Sequence, residues 1–435
     1  MPDVLPNPAV SVASGSSPKI AIVCHSYPSV TKGGAEVAAY ALFRGLRHIG
    51  FDAIFIGACD EANRHRLAFS DNNEFAVYYD SERYERFYHL AARSVEEQVV
   101  RTIRDQRVDV VNFHHFLNIG LNSLRAVRAM PAMQCFYTMH EFLAMCNNDG
   151  QMVTRGSQLL CSQATNEACV NCFPEFLRSQ FTMRKETMMD VFGRFDGFIA
   201  PSQFLADRFV KWGLPGDRTV VIENGLLGST LHQRKLKADS VWTFGYFGQV
   251  NPYKGVDVIL EAAELIAADA QLANTMRVRI HGNFVGLPQS FIDRFNAALK
   301  SFPFLFYAGP YSSSSVYRLM SECDYVLVPS TWWENSPVVI QEAYSVNTPV
   351  ICSGIGGLAE KVQDGISGLH FDVGNASDLL RVMSIAADPK VSESLRAGIP
   401  TVTSASDMAR SYARFFSLAS NRGKVKVLVQ DRGES

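Results

Sequence analysis

The chain has 435 residues, of which 47% are hydrophobic and 19% charged, with 30 glycines. At about 100 to 200 residues per domain that is room for two domains and a small third, and the composition excludes a disordered or fibrous protein. Lys plus Arg number 41 against 43 Asp plus Glu, a formal charge of −2, so no global positive field exists to hold a nucleic acid backbone and no nucleic acid partner is expected.

Residues 1–17 are rich in Pro, Ser and Ala without periodicity and read as a flexible arm. They lack the basic start and apolar core of a signal peptide, and no apolar run downstream approaches the about 18 to 20 residues needed to cross a bilayer. Nine cysteines are an odd count for a disulfide scaffold. A cytoplasmic protein is expected. From Lys19 a short apolar run, KIAIVCH, leads through Gly33 and Gly34 into an amphipathic stretch from Glu36 to His48, then Gly50 and a second run, FDAIFIG. This is a strand, helix, strand unit. Buried-strand runs recur at 108–113, 134–140, 195–202 and 219–225, so residues 18–230 are expected to form a Rossmann-like domain. A polar, basic crossing around HQRKLKADS precedes a second series of strands at 242–248, 276–282, 304–309, 324–330, 348–353 and 367–371, with helices over Val256–Ala267 and Pro337–Tyr344. The fold class is therefore α/β, with a second Rossmann-like domain over 231–402, a helix at 403–420 crossing back, and a tail at 421–435. Two such doubly wound domains bind ligands outside the carboxyl ends of their strands and so face a central cleft.

The chemistry-bearing residues fall on loops that follow strands. In TWWENSPVVIQEAY, Glu334 lies after a strand and Glu342 one to two turns into the next helix. Asn335 and Pro337 lead into that helix, and the amides of Ser336, Val338 and Val339 at its start form an anion site. Glu342 can accept from vicinal ribose hydroxyls and Glu334 from a sugar; the same spacing also fits a solvated helix face. In FGQVNPYKGVDV, Lys254 sits at a strand-to-helix corner, where it can neutralise a diphosphate or be an ordinary surface lysine. Gly33 and Gly34 let amides approach a phosphate, or make only a tight turn.

In combination, Gly33-Gly34-Ala35-Glu36, Thr138-Met139-His140-Glu141, Pro201-Ser202, Glu223-Asn224-Gly225, Lys254-Gly255 and Glu334 to Glu342 followed by Thr348-Pro349-Val350 resemble the retaining glycosyltransferases of the GT-B fold, family 4 (glycosyl transferases group 1). The resemblance runs over roughly residues 19–420. It implies transfer of a sugar from a nucleotide-sugar donor to an acceptor hydroxyl, with retained configuration, in cell-surface polysaccharide or glycoconjugate synthesis. It further implies that Glu342 holds the ribose, Lys254 the diphosphate and Glu334 the donor sugar, that Gly34 approaches the leaving phosphate, and that His140 faces the donor sugar and acceptor. The acceptor would be a glycan or lipid-linked glycan bound by the N-terminal domain. Catalysis would be orientation plus electrostatic stabilisation, with the leaving phosphate taking the proton and no catalytic divalent metal; the chain has no Asp-x-Asp pair. One position departs from the family. Gln249 stands where an arginine is common, five residues before the lysine, and Arg155 or Lys32 are the candidate substitutes. A nucleotide-sugar epimerase, a phosphorylase and a non-catalytic sugar-binding or partner subunit of the same fold are the competing readings.

Two features stand outside that scheme. Cys146, Cys161, Cys169 and Cys172 lie in a Cys-rich insertion at 146–172 and have the ligand count of a structural zinc site, although reduced thiols or a redox pair fit as well. The stretch 173–195 carries Phe176, Leu177, Phe181, Met188, Met189 and Phe192 with four basic residues. It reads as a helix with its apolar stripe on the sheet or, alternatively, as a peripheral contact with the inner face of a membrane.

Overall fold

The computed structural model describes residues 18–31, 33–228 and 240–430, with side chains to Ala419; the expected arm, Lys32 and the crossing at 229–239 lie outside these. Two parallel sheets organise the chain. The first contains β1 (Ile20–Cys24), β2 (Ala53–Asp60), β3 (Glu74–Tyr79), β4 (Val110–Phe113), β5 (Gln134–Thr138), β6 (Gly197–Ala200) and β7 (Thr219–Val221), in the order β3-β2-β1-β4-β5-β6-β7. The second contains β8 (Trp242–Phe247), β9 (Met276–His281), β10 (Leu305–Gly309), β11 (Tyr325–Val328), β12 (Val350–Ser353) and β13 (Gly368–Phe371), in the order β10-β9-β8-β11-β12-β13. These are two Rossmann-like domains. Strands inside a parallel sheet are covered on both faces, so they must be continuously apolar. Every residue of β1, β4, β6, β11 and β12 is buried, the polar Asn112 and Ser353 included. The edge strand β3 escapes the sequence pattern because EFAVYY is only partly buried and carries a glutamate.

The helix Gly34–His48 buries Ala38, Ala41, Leu42, Phe43 and Leu46 against the first sheet, the spacing of one helical face. Gly50 ends it with φ of 94°, a left-handed conformation that a side chain would resist. The C-terminal helix, Ala405–Gln430, returns to the N-terminal domain and continues through the first residues of the expected tail. Gly45 leaves room for the Ala405 backbone, and Tyr412, Phe415 and Phe416 are buried against the back of the first sheet. Each such aromatic contributes about 1.5 to 3 kcal/mol by leaving water. Polar latches join the domains as well. The Glu360 carboxylate accepts from the free amides of Gln203 (2.8 Å) and Phe204 (2.7 Å) at the start of the helix Gln203–Trp212, a charge-assisted cap. Lys361 pairs with Glu223 at 2.5 Å and Gln341 donates to the Asn224 carbonyl at 2.6 Å.

Candidate active site

In both sheets the strand order reverses next to the first strand, between β1 and β4 and between β8 and β11. A crevice opens outside the carboxyl ends at such a point because the connections leave in opposite directions. The candidate residues gather at these two crevices.

On the C-terminal domain, β8 leads to Lys254 and β11 to Glu334. Asn251 caps the turn before the lysine, accepting from the Lys254 amide at 2.9 Å, and Gly255 follows at φ 75°. Any side chain at Gly255 would strike the Pro329 carbonyl, so the turn is pressed against the end of β11. Lys254 Nζ thereby reaches Glu334 Oε1 at 2.5 Å. Ser330 Oγ and Trp332 Nε1 donate to the same oxygen, each at 2.8 Å. Burial works to raise the Glu334 pKa, but the Lys254 charge and these donors outweigh it and hold the carboxyl below its ordinary range. One oxygen of Glu334 is thus already satisfied by protein donors, a finer arrangement than the sequence pattern suggested. Trp332 stacks on Tyr253 with ring centres 5.6 Å apart, and Lys254 Nζ lies 5.1 Å from the Trp332 ring.

Pro337 is the N-cap, one residue outside the helix Val338–Ser345. The first amides of a helix have no partner within it, so those of Val338 and Val339, with Ser336 just before the helix, are donors available to an anion. Glu342 sits in the second turn with no ion pair or hydrogen bond to its carboxylate among the described residues. Burial pushes its pKa up to about 7. The Asn335 amide group does something the sequence did not foresee: Nδ2 donates across the cleft to the His140 carbonyl at 3.0 Å. Gln249 is exposed, its carbonyl accepting from Tyr246 Oη at 2.5 Å. Of its proposed substitutes, Arg155 is committed to Glu175 and lies over the Phe173 ring at 4.5 Å.

On the N-terminal domain, Gly33 caps the first helix and is crowded by the Glu36 carboxylate, whereas a side chain at Gly34 would meet nothing within 4 Å. Neither glycine has positive φ. Neither backbone geometry nor packing therefore requires glycine at Gly34, and the space beside it is open to a ligand. His140 follows β5. Its Nε2 is 2.8 Å from His114 Nδ1, and His114 Nε2 is 3.0 Å from Asn112. Burial lowers the His140 pKa to about 4, with the His25 charge acting in the same direction, so the imidazole is neutral near pH 7.

Further residues belong to this crevice. His25 follows β1 and His115 follows β4, and because those strands pair in register their rings lie 4.3 Å apart. His25 Nε2 is 3.3 Å from the buried Glu36 carboxylate. Burial opposes its charge, but Cys24 and Glu36 prevail and raise its pKa to about 10. His115 Nε2 is 3.2 Å from Glu141, whose pKa burial raises to about 8. The signal was in the sequence: β1, β4 and β5 are each followed within two residues by a histidine, although His140 alone stands in the Thr138-Met139-His140-Glu141 motif.

The insertion at 146–172 touches both domains. Trp333 Nε1 donates to the Cys161 carbonyl at 3.1 Å and Tyr253 Oη to Gln158 at 2.8 Å. Its four cysteines are neighbours: burial lifts the Cys169 thiol to about 12, and Cys146, Cys161 and Cys172 add to that rise. All nine cysteines are free. Among the described residues, however, no three His, Cys, Asp or Glu side chains come together as a metal-binding group, so the tetrahedral zinc site counted from the ligands is not preformed. The Cys161 carbonyl is tied to Trp333, and the Cys172 sulfur accepts from the Arg155 amide at 3.3 Å. In the helix Arg178–Phe192, Phe181, Met188 and Phe192 are buried in the protein and are withdrawn from any membrane contact, while Leu177 and Met183 are exposed. No helix among the described residues is long and apolar enough to cross a membrane.

Comparison with known proteins places the chain in a family and a fold. Residues 32–226 match the family model described as Glycosyltransferase Family 4, and residues 229–388 match Glycosyl transferases group 1. The chain is 32% identical over 143 residues to a D-inositol 3-phosphate glycosyltransferase of Nocardioides, covering 31% of each protein. It is 28% identical over 197 residues to a lipopolysaccharide 1,2-N-acetylglucosaminetransferase of Salmonella typhimurium, covering 41% of this chain and 50% of that one. The chain thus spans half or less of the length of the curated relatives it matches. Its fold is similar to that of the Anabaena protein HepE in complex with UDP and glucose, with 17% identity, a TM-score of 0.63, and coverage of 92% of this chain and 99% of that one.

Proposed function

The chain belongs to the family 4, group 1 glycosyltransferases of the GT-B fold, and from that premise we propose that it transfers a sugar, with retained configuration, from a nucleotide-sugar to a hydroxyl of a glycan or lipid-linked glycan. The setting we propose is cell-surface polysaccharide or glycoconjugate synthesis. The observation that carries the reading is the Lys254–Glu334 pair at the switch point of the second sheet, flanked by the free amides of the helix at 338–345. A donor diphosphate there meets one ammonium and several oriented N–H groups, which stabilise developing charge without rearranging.

The geometry supports the following roles within this reading. Glu334, fixed by Ser330 and Trp332, keeps the carboxylate in place when the diphosphate draws Lys254 toward itself, and its second oxygen is left for a sugar hydroxyl. Glu342 accepts from ribose hydroxyls, which supply the hydrogen bonds that its half-buried carboxylate lacks among the described residues. Gly34 gives the phosphates room from the opposite wall. His140, neutral and oriented by His114, hydrogen-bonds a sugar or acceptor hydroxyl without adding charge. The acceptor proton goes to the leaving phosphate, so orientation and electrostatics carry the rate. Lys254 and the amides do the neutralising, and no divalent ion has a step in this scheme.

UDP-sugars are the first donors to test, because the Anabaena neighbour holds UDP and glucose, with GDP- and ADP-sugars alongside. Thermal shift and donor hydrolysis should single out one class, with Glu334→Ala and Lys254→Ala losing the response. Failure of every nucleotide-sugar to bind would remove the enzyme reading and leave the non-catalytic one.

A further inference from the structure

A cavity of about 420 Å³ lies between the cysteine-bearing insertion and the helices 178–192 and 203–212, within the size range of small-ligand sites. Neither Lys254, Glu334 nor His140 lines it. Arg178, Lys185, Arg208 and Lys211 converge on it, over a floor that includes the buried Met145 and Trp212. The one acidic residue in its wall, Glu167, is 3.9 Å from Arg178 with both side chains more than 70% exposed, a pairing worth little in water. Lys185 and Lys211 have no carboxylate within ion-pair distance among the described residues; Lys185 Nζ instead lies 5.9 Å from the Trp212 ring. Four cations around one concavity repel one another, and a chain with a net charge of −2 has no surplus of basic residues that would gather them by composition alone. An anion in the cavity would turn that repulsion into attraction.

The cavity also adjoins the donor loop. Arg208 lies over the Trp333 ring at 4.6 Å and donates to the Ser162 carbonyl at 2.5 Å. Trp333 is the neighbour of Glu334 and donates to the Cys161 carbonyl at 3.1 Å. One wall, Cys161-Ser162 with Arg208, therefore separates the cavity from the Trp333 side of the cleft.

We propose that this cavity is an anion subsite that binds a phosphate- or diphosphate-bearing group, which anchors the acceptor by its charged end. The proposal rests on the glycosyltransferase reading only in assigning the bound group to the acceptor; binding itself is measurable without it. The phosphate can belong to a soluble phosphorylated glycan or to a lipid headgroup, and the two sources are separable.

Inorganic pyrophosphate is titrated calorimetrically into the full chain, into Lys254→Ala, which lacks the donor-side cation, and into the double variant Lys185→Glu, Lys211→Glu. Both of these lysines are exposed, so the reversal leaves the core untouched, and equal melting temperatures verify this. Vesicles of phosphatidylglycerol in phosphatidylcholine are sedimented with the same three proteins. Pyrophosphate affinity should survive in Lys254→Ala and fall by about tenfold or more in the double variant, while the double variant keeps its affinity for nucleotide-sugars. Vesicle binding that depends on the two lysines assigns the phosphate to a lipid headgroup, and pyrophosphate binding without vesicle binding assigns it to a soluble group. Equal affinities in the double variant and the parent, or no binding of either probe, would overturn the subsite. That outcome with donor binding intact leaves the proposed function standing, whereas lost donor binding with an intact subsite removes the function alone.

Discussion

Replacing Lys254 by alanine tests the centre of the site, because the structure fixes what remains. Glu334, with its side chain 11% exposed, keeps Ser330 and Trp332 as donors but loses the ammonium at 2.5 Å. Removing one partner of a fully buried pair costs about 3 to 5 kcal/mol. Lys254 is 27% exposed and two donors survive, so about 2 kcal/mol is expected, or about 4 to 8 °C in melting temperature for domains of this size. The pH dependence is more diagnostic than the size. In the native protein the Glu334 pKa is held below its unfolded value, so its contribution to stability is present above the unfolded pKa and is lost as pH falls through the folded one. Without Lys254 the burial term prevails and the folded pKa rises above the unfolded value, so the contribution reverses and stability is lost as pH climbs. The gap in melting temperature between wild type and Lys254→Ala should therefore be wider at pH 8 than at pH 5. Scanning calorimetry across that range measures it, and Lys254→Ala combined with Glu334→Gln should recover most of the loss at pH 8. A gap that does not change with pH, or a double variant no better than the single one, would refute the buried pair.

Other residues give shorter tests. Gly34→Ala should leave stability unchanged or raise it by up to about 1 kcal/mol, since the position has room and ordinary φ, yet sugar transfer should fall by at least about tenfold; retained activity would show that no phosphate approaches there. Glu342, whose pKa burial lifts to about 7, accepts more strongly from ribose hydroxyls once ionised, so nucleotide affinity should rise from pH 6 to pH 8 and Glu342→Gln should flatten that rise in a titration series. Asn335→Ala, which cuts the bond to the His140 carbonyl, should raise KM for the acceptor more than KM for the donor in steady-state kinetics. Metal analysis of the purified chain tests whether the four neighbouring thiols close on zinc: about one ion per chain supports closure, and less than about 0.2 counts against it.

The fold was legible because parallel strands must be apolar on both faces, and the runs from KIAIVCH to SGLHF advertise that burial directly. Strand β3 was not, because an edge strand answers to one neighbour only and EFAVYY carries no continuous apolar signal. The grouping of the proposed donor residues was legible for a related reason: Lys254 and Glu334 each lie on a loop that follows a strand, and they meet as an ion pair at the end of β11. The histidine-lined crevice of the N-terminal domain depends on register between strands distant in sequence. His25 meets His115 only because β1 pairs with β4, and Asn335 meets His140 only because the domains face each other. Local spacing carries neither fact. The cysteines show the converse limit, for a ligand count read along the chain says nothing of whether the backbone brings the sulfurs to one point.

The contact between Asn335 and His140 also bears on how a nearly neutral chain can handle a dianionic donor. With Lys254 spent on Glu334 and His140 uncharged, the cleft mouth has little net charge before a ligand enters. His25 is the exception, and its charge is matched by Glu36. A diphosphate must therefore be attracted over short distances by oriented dipoles and by exchange of the Lys254 contact, not steered from afar by a field. Selectivity follows from that arrangement, because the exchange succeeds only when the ligand presents phosphate oxygens at the helix start and hydroxyls at Glu334 and Glu342 together. A bare phosphate meets the amides but leaves Glu334 with its ammonium partly withdrawn and nothing in its place. Salt should accordingly weaken donor binding far less than it weakens binding at the four-cation cavity, where Lys185 and Lys211 are exposed and have no ion-pair partner among the described residues.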